Sequence, residues 1–209
     1  MANNNNIYKM SNAGGVKSLT RYYDMLAGNT TWVPLPYSAY DSIATVTVGS
    51  GGSSSITFSS IPATYTHLQI RGIAQPYYAS AAEGQLSMQF NGDTGQNYTR
   101  HGLFGNGSTT ATTGFATGTY NYINIERFYW GNTGSIFGSS IIDILDYTNT
   151  NKNKTVRSIG GYDTNGSGQV ALASGLWTNT NAITSIVLSA SGSTLNQYSS
   201  FALYGIKGN

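Results

Sequence analysis

The sequence predicts an all-β protein. We expect an antiparallel β-sandwich of jelly-roll type over residues 43–209, preceded by an extended N-terminal arm over residues 1–42 that carries at most one short helix. Three observations lead there. Short runs with period-two alternation recur from Ile43 to the C-terminus. Clusters of Gly, Asn, Ser and Thr, the residues that turns demand, separate those runs. No long helical period interrupts them, and many short strands with such turns indicate a sandwich.

Taken in order, "IATVTV" (43–48) and "SITF" (55–58) are joined by "GSGGSS" as a hairpin-like connection. "THLQIRGIA" (66–74) sets Leu68 and Ile70 against His67, Gln69 and Arg71 on the other face. "QLSMQFN" (85–91) alternates more cleanly, with Leu86, Met88 and Phe90 inward. It runs into Asn91-Gly92, the strongest two-residue hairpin signal. "FNGDTGQNY" (90–98) therefore reads as a turn whose Asp93 and Thr94 bond local backbone, with Tyr98 resuming a strand. In "YNYINIERFYW" (120–130), regular alternation puts Tyr120, Tyr122, Asn124, Glu126, Phe128 and Trp130 on one face and Ile123 and Ile125 in the core. "SIIDILDY" (140–147), "KTVRSIGG" (154–161), "QVALAS" (169–174), "ITSIVLSA" (183–190) and "SFALYGIK" (200–207) complete the strands, the last pairing the C-terminus into a sheet.

The arm differs in kind. Over 18–28, Leu19, Tyr22, Tyr23 and Leu26 share one helical face, with Ser18 as cap and Gly28 as stop. With Tyr8, Met10, Met25, Trp32, Tyr37 and Tyr40 added, the arm is too apolar for a solvated tail. Either it packs on its own sandwich, as chain termini commonly dock, or it anchors the domain on another protein. In the second case Tyr8, Met10, Leu19, Tyr22, Tyr23, Leu26 and Trp32 are the contacts.

Only 9% of the 209 residues are charged, and the ten basic and eight acidic side chains are scattered, for a net charge of +2. No basic stripe exists to hold nucleic acid. The absence of cysteine removes disulfides, thiolate metal sites and cysteine nucleophiles together. "MANNNNIYKM" is not a signal peptide, and no apolar run approaches the roughly 18 residues that cross a bilayer. The expected product is made in the cytosol and does not associate with membrane.

Catalytic chemistry finds little to work with. His67 and His101 have no GxSxG motif to serve, and read as surface histidines. Of six Asp and two Glu, Asp143 and Asp146 are spaced to opposite faces of a regular strand, while Glu83 and Glu126 have no evident partner. "DTNGSG" (163–168) opens like a calcium loop with donors Asp163, Asn165 and Ser167. Its twelfth position is Ser174 where an EF-hand needs Glu, and Asn165-Gly166 is a hairpin signal in its own right. No cofactor is expected. The aromatic face Tyr120, Tyr122, Asn124, Glu126 and Trp130 has the mix that stacks on sugars, as does Trp177 in "GLWTNT" (175–180). The competing reading is a subunit contact or core packing, which the enrichment of aromatics at interfaces favours.

One resemblance spans nearly the whole chain. "SNAGGVKSLTRYYDMLAGN" (11–29), "SIATVTVGSGGSSSITFSSIPATYTHLQIRGIA" (42–74), "FNGDTGQNY" (90–98), "DILDYTNTNKNKT" (143–155), "SGLWTNTNAITSIVL" (174–188) and "SFALYGIK" (200–207) together resemble tailed-phage virion structural proteins of the tail, fibre or capsid-decoration kind, familiar from aquatic and cyanobacterial phages. The resemblance implies a place on a virion and brings no catalytic residues. The leading expectation is thus a non-enzymatic virion protein. Its arm binds capsid or tail proteins and its sandwich projects outward, in a homo-oligomer for which a trimer is favoured. The alternative is a receptor-binding module for host surface glycans through Tyr120, Tyr122 and Trp130 or Trp177. A depolymerase ranks last for want of paired carboxylates.

Overall fold

The computed structural model describes residues 39–77, 83–129, 135–190 and 193–208. They form antiparallel sheets packed as a sandwich, as the alternation predicted, with no helix among the described residues. The short helix expected over 18–28 lies outside them.

Eight strands build the two layers as nested pairs. β1 (Tyr40–Thr47) pairs with β14 (Ser200–Ile206), and β2 (Ser55–Phe58) with β12 (Ile186–Ala190). β3 (His67–Ala74) pairs with β9 (Gly138–Leu145), and β5 (Glu83–Phe90) with β8 (Ile123–Tyr129). First strand meets last, second meets second-last, and so inward. The pairs alternate between layers, giving the orders β1-β14-β3-β9 and β2-β12-β5-β8. Two hairpins then widen the first layer: β6 (Tyr98–Gly105) with β7 (Thr110–Tyr120), and β10 (Lys154–Asp163) with β11 (Gly168–Trp177). The full order is β1-β14-β3-β9-β10-β11-β6-β7. The short strands β4 (Pro76–Tyr77) and β13 (Thr194–Leu195) pair beside the layers. β1 begins at Tyr40, so Tyr40–Ser42, read as part of the arm, belong to the sheet.

The core fills from period-two faces. Leu68 and Ile70 from β3, Leu86, Met88 and Phe90 from β5, Ile142 and Ile144 from β9, and Phe201 and Leu203 from β14 are wholly buried. Ile123 and Ile125 turn inward as expected. Burying such side chains removes the most apolar area from water and supplies most of the driving force.

Two connections read as hairpins are corners. β1 and β2 lie in different layers, so "GSGGSS" crosses between sheets. The same holds for Asn91-Gly92, since β5 and β6 belong to opposite layers. The local turn is nonetheless the expected one: φ is 53° at Asn91 and 66° at Gly92, and the Asp93 N–H donates to the Phe90 carbonyl at 2.8 Å. Asn91 also pins a distant loop. Its Oδ1 accepts from the backbone N–H groups of Thr184 and Ser185, and its Nδ2 donates to the Ala182 carbonyl. By contrast, Asn165-Gly166 does close a true hairpin between β10 and β11.

Candidate interaction surface

The outer face of the eight-stranded sheet departs from the usual rule of large apolar residues inside. At the β9–β11 end, the inward positions hold Ser140, Ser158, Gly160, Ala171 and Ala173, all buried. The outward positions hold Ile141, Ile159, Val170 and Leu172, exposed by 41, 53, 63 and 47%. Leu103 of β6 and Ile73 of β3 are half exposed on the same face.

Strand register organises these residues into rows. Ile141 lies opposite Ile159, Ile159 opposite Leu172, and Leu172 opposite Leu103. With neighbouring strands about 4.8 Å apart, this aliphatic row is about 14 Å long. One step along the strands runs a polar row: Gln69, Asp143, Arg157, Ser174 and His101. Gln69 Nε2 donates to Asp143 Oδ1 at 2.8 Å, and Arg157 Nη2 pairs with Asp143 Oδ2 at 3.0 Å. Arg71 Nε donates to Gln69 Oε1, and its guanidinium lies 5.8 and 5.7 Å from the ring centres of Tyr40 and Tyr204. On the other side, the row Ile73, Ser139, Gly161, Val170 and Gly105 mixes aliphatic with minimal side chains. Those small residues leave an open groove of about 1140 Å³.

The sequence-predicted aromatic face is divided by the fold. Tyr120 ends β7, the chain bends at Asn121 and Tyr122, and β8 starts only at Ile123. Tyr120 and Tyr122 therefore do not alternate along one strand. Their rings still meet, at 5.3 Å, and Phe115 joins Tyr120 at 4.4 Å. Burial pushes the Tyr122 hydroxyl pKa up, and nearby Tyr120 adds to it. Asn124 is half-buried in β8, and Glu126 is the extra residue at a bulge there, which ends the regular alternation. Trp130 lies outside the described residues, as do the arm residues Tyr8, Met10, Leu19, Tyr22, Tyr23, Leu26 and Trp32.

Trp177 is not a ligand platform. Its ring is fully buried against Phe90 and Tyr98, at centroid distances of 5.5 and 6.4 Å. β11 alternation carries it inward after Ala171, Ala173 and Gly175. In the 163–168 turn, Asp163 Oδ1 accepts from the Asn165 N–H at 2.7 Å. Thr164 Oγ1 donates to the Ser167 carbonyl at 2.6 Å, and their hydroxyls lie 2.6 Å apart. These oxygens serve the turn. Among the described residues no three His, Asp, Glu or Cys side chains gather around a common point.

Apart from the contact between His67 and Asp146, the carboxylates and histidines of the described residues are dispersed. Asp143 belongs to the polar row. Asp146, at φ 49°, pairs with Lys152 at 2.6 Å, which together with His67 holds its pKa below the usual carboxylate range. His67 Nδ1 accepts from the Asp146 N–H at 3.0 Å. His101 sits exposed in β6. Sequence reasoning missed the outer aliphatic row, although "RSIG" and "QVALA" already place the larger residue at every second position. No protein family, curated protein or solved structure matches this chain.

Proposed function

We propose that this protein is a non-enzymatic structural component of a tailed-phage virion. Residues 1–39 hold it on capsid or tail, and its sandwich is displayed as a decoration or fibre element, in a homo-oligomer for which a trimer is favoured. The inverted patterning of β9–β11 carries this reading. A sheet face that stays in water gains nothing from Ile141, Ile159, Val170 and Leu172 pointing outward. Covering them by a second copy removes that surface from water at about 25 cal/mol per Å².

The face suits a copy of itself. An aliphatic centre flanked by hydrogen-bonded polar residues is the usual build of a protein contact. A charge carried into a subunit contact costs least where it is already paired, as Arg157 is with Asp143. The nested strand pairing supports a jelly roll, an architecture used by viral capsid and lectin domains. Architecture alone does not confer function, so the resemblance to virion proteins and the apolar face bear the weight.

Sedimentation of the full chain tests the assembly. The wild type should sediment as an oligomer, and Ile159→Asp as a folded monomer, because the substituted side chain points outward. A monomeric wild type at tens of micromolar overturns the reading. Particle labelling tests location: antibody to the sandwich should decorate intact virions, and deletion of residues 1–35 should abolish incorporation. Unimpaired incorporation of the truncated chain would sink the anchor.

A further inference from the structure

A second concavity, of about 470 Å³, shares no lining residue with the outer-face groove. It is formed where the β13–β14 connection meets Gly51 and Gly52, with Phe137 contributing an apolar wall. Tyr198 stands in it and is 70% exposed. Its backbone has φ of 72°. The Ser199 N–H donates to the Asn196 carbonyl at 3.1 Å, so Tyr198 holds the third position of a tight turn where positive φ normally selects Gly or Asn. A bulky residue in this conformation is a genuine outlier, and such strain concentrates at functional sites.

The turn is held firmly. The Tyr198 N–H donates to the Val48 carbonyl at 3.0 Å and the Asn196 N–H to the Gln75 carbonyl at 2.9 Å. Asn196 Nδ2 donates to Gln75 Oε1 at 2.9 Å, while buried Gln75 passes its own Nε2 to the Ile136 carbonyl. The exposed ring is thus presented on a preorganised base.

We infer that this hollow binds a neutral sugar residue, with the Tyr198 ring stacked on the apolar face of the pyranose and Thr194, Asn196 and Gln197 bonding its hydroxyls. No described lining residue carries a charge, so an ionic ligand would find no counter-charge. A purely apolar ligand would strand the amides on burial. An aromatic face beside amides and a hydroxyl is the chemistry that fits a polyol with one apolar side. The volume of about 470 Å³ falls within the range of small-molecule pockets. The site stands apart from the assembly surface, so either can fail alone.

Saturation-transfer NMR on the full-length protein tests this. The probes are glucose, galactose, mannose and N-acetylglucosamine methyl glycosides and their linear trisaccharides. At least one should receive saturation on its ring protons. Tyr198→Gly suits the backbone angle and should fold at least as stably, yet lose affinity by about tenfold or more. Tyr198→Phe should stay within about threefold of wild type. Absence of transfer to every probe, or undiminished transfer in Tyr198→Gly, overturns the site. A Tyr198→Gly protein whose oligomer falls apart while its sugar signal is unchanged makes Tyr198 a subunit contact instead, and also overturns it.

Discussion

The indole Nε1 of Trp177 donates to Asp93 Oδ2 at 2.7 Å, tying the end of β11 to the corner between β5 and β6. Asp93 Oδ1 accepts from the Gly95 N–H at 2.8 Å, so one carboxylate shapes the turn and caps the buried indole together. Asp93→Ala leaves the indole N–H buried without its acceptor. A loss of about 2–3 kcal/mol is expected, since bonds to charged groups and stranded donors both fall in that range. Urea denaturation measures it, and a change under about 0.5 kcal/mol would show that water replaces the carboxylate.

The same bonds set an acid limit. Burial works to raise the Asp93 pKa, but hydrogen bonds from Trp177, Asn97 and Gly95 outweigh it and hold the carboxyl below its usual range. A depressed carboxylate contributes stability that is complete above its unfolded pKa, about 4, and disappears as pH falls through the folded value. The urea midpoint of the wild type should therefore drop below about pH 4 more steeply than that of Asp93→Asn. Parallel slopes would remove Asp93 from the account.

An alkaline limit comes from Tyr98. Burial raises its hydroxyl pKa to about 12, with the Phe90 N–H opposing and the Asp93 charge adding. The hydroxyl accepts from that N–H at 3.2 Å and donates to the Asp93 carbonyl at 3.1 Å. A phenol with a raised folded pKa stabilises fully below its unfolded value, about 10, and loses that contribution as pH climbs through the folded one. The loss is on the order of 2–3 kcal/mol between pH 10 and 12. Ultraviolet titration should show a tyrosine component near pH 12 that is missing in Tyr98→Phe.

Glycine opposite an aromatic ring gives a further check. Gly72 faces Phe201 across the β3–β14 ladder, and a methyl there would lie 2.5 Å from the ring's Cδ1. Phe201 is fully buried and has nowhere to retreat. Gly72→Ala should cost about 1–3 kcal/mol by overpacking. In a Phe201→Leu background most of that penalty should vanish, because contacting residues are not additive. Equal penalties in both backgrounds would place the strain elsewhere.

What could be read from sequence was local. Leu86, Met88 and Phe90 alternate inward because a strand's period of two leaves them no other common face. Asn91-Gly92 has the positive φ values its residue types favour, yet the chain changes sheets there, since turn chemistry sets a few dihedrals and not the next strand's partner. The sequence leaves Trp177 open between platform and core packing, because a tryptophan beside a polar loop looks the same whether its ring faces solvent or core. Only the phase of β11 settles it, and there the inward neighbours are Ala171, Ala173 and Gly175, which mimic an outward face. The contact surface was hidden by the same inversion: Ile159 and Leu172 count as core by type and are surface by position.

Lys154 shows how a charge can belong to the core. It is fully buried at the start of β10, and its Nζ donates to the carbonyls of Asn149, Lys152 and Thr180 at 2.5, 2.8 and 2.8 Å. The ammonium has three donors, so one side chain satisfies three carbonyls from two loops. Lys154→Met preserves the stem and removes the donors, which should cost about 3 kcal/mol or more by leaving those acceptors unpaired. Reductive methylation reads the geometry independently: Lys152, 60% exposed, should react promptly while Lys154 stays protected until the protein unfolds. Equal labelling rates under native conditions would mean that the ammonium is not held by the carbonyls.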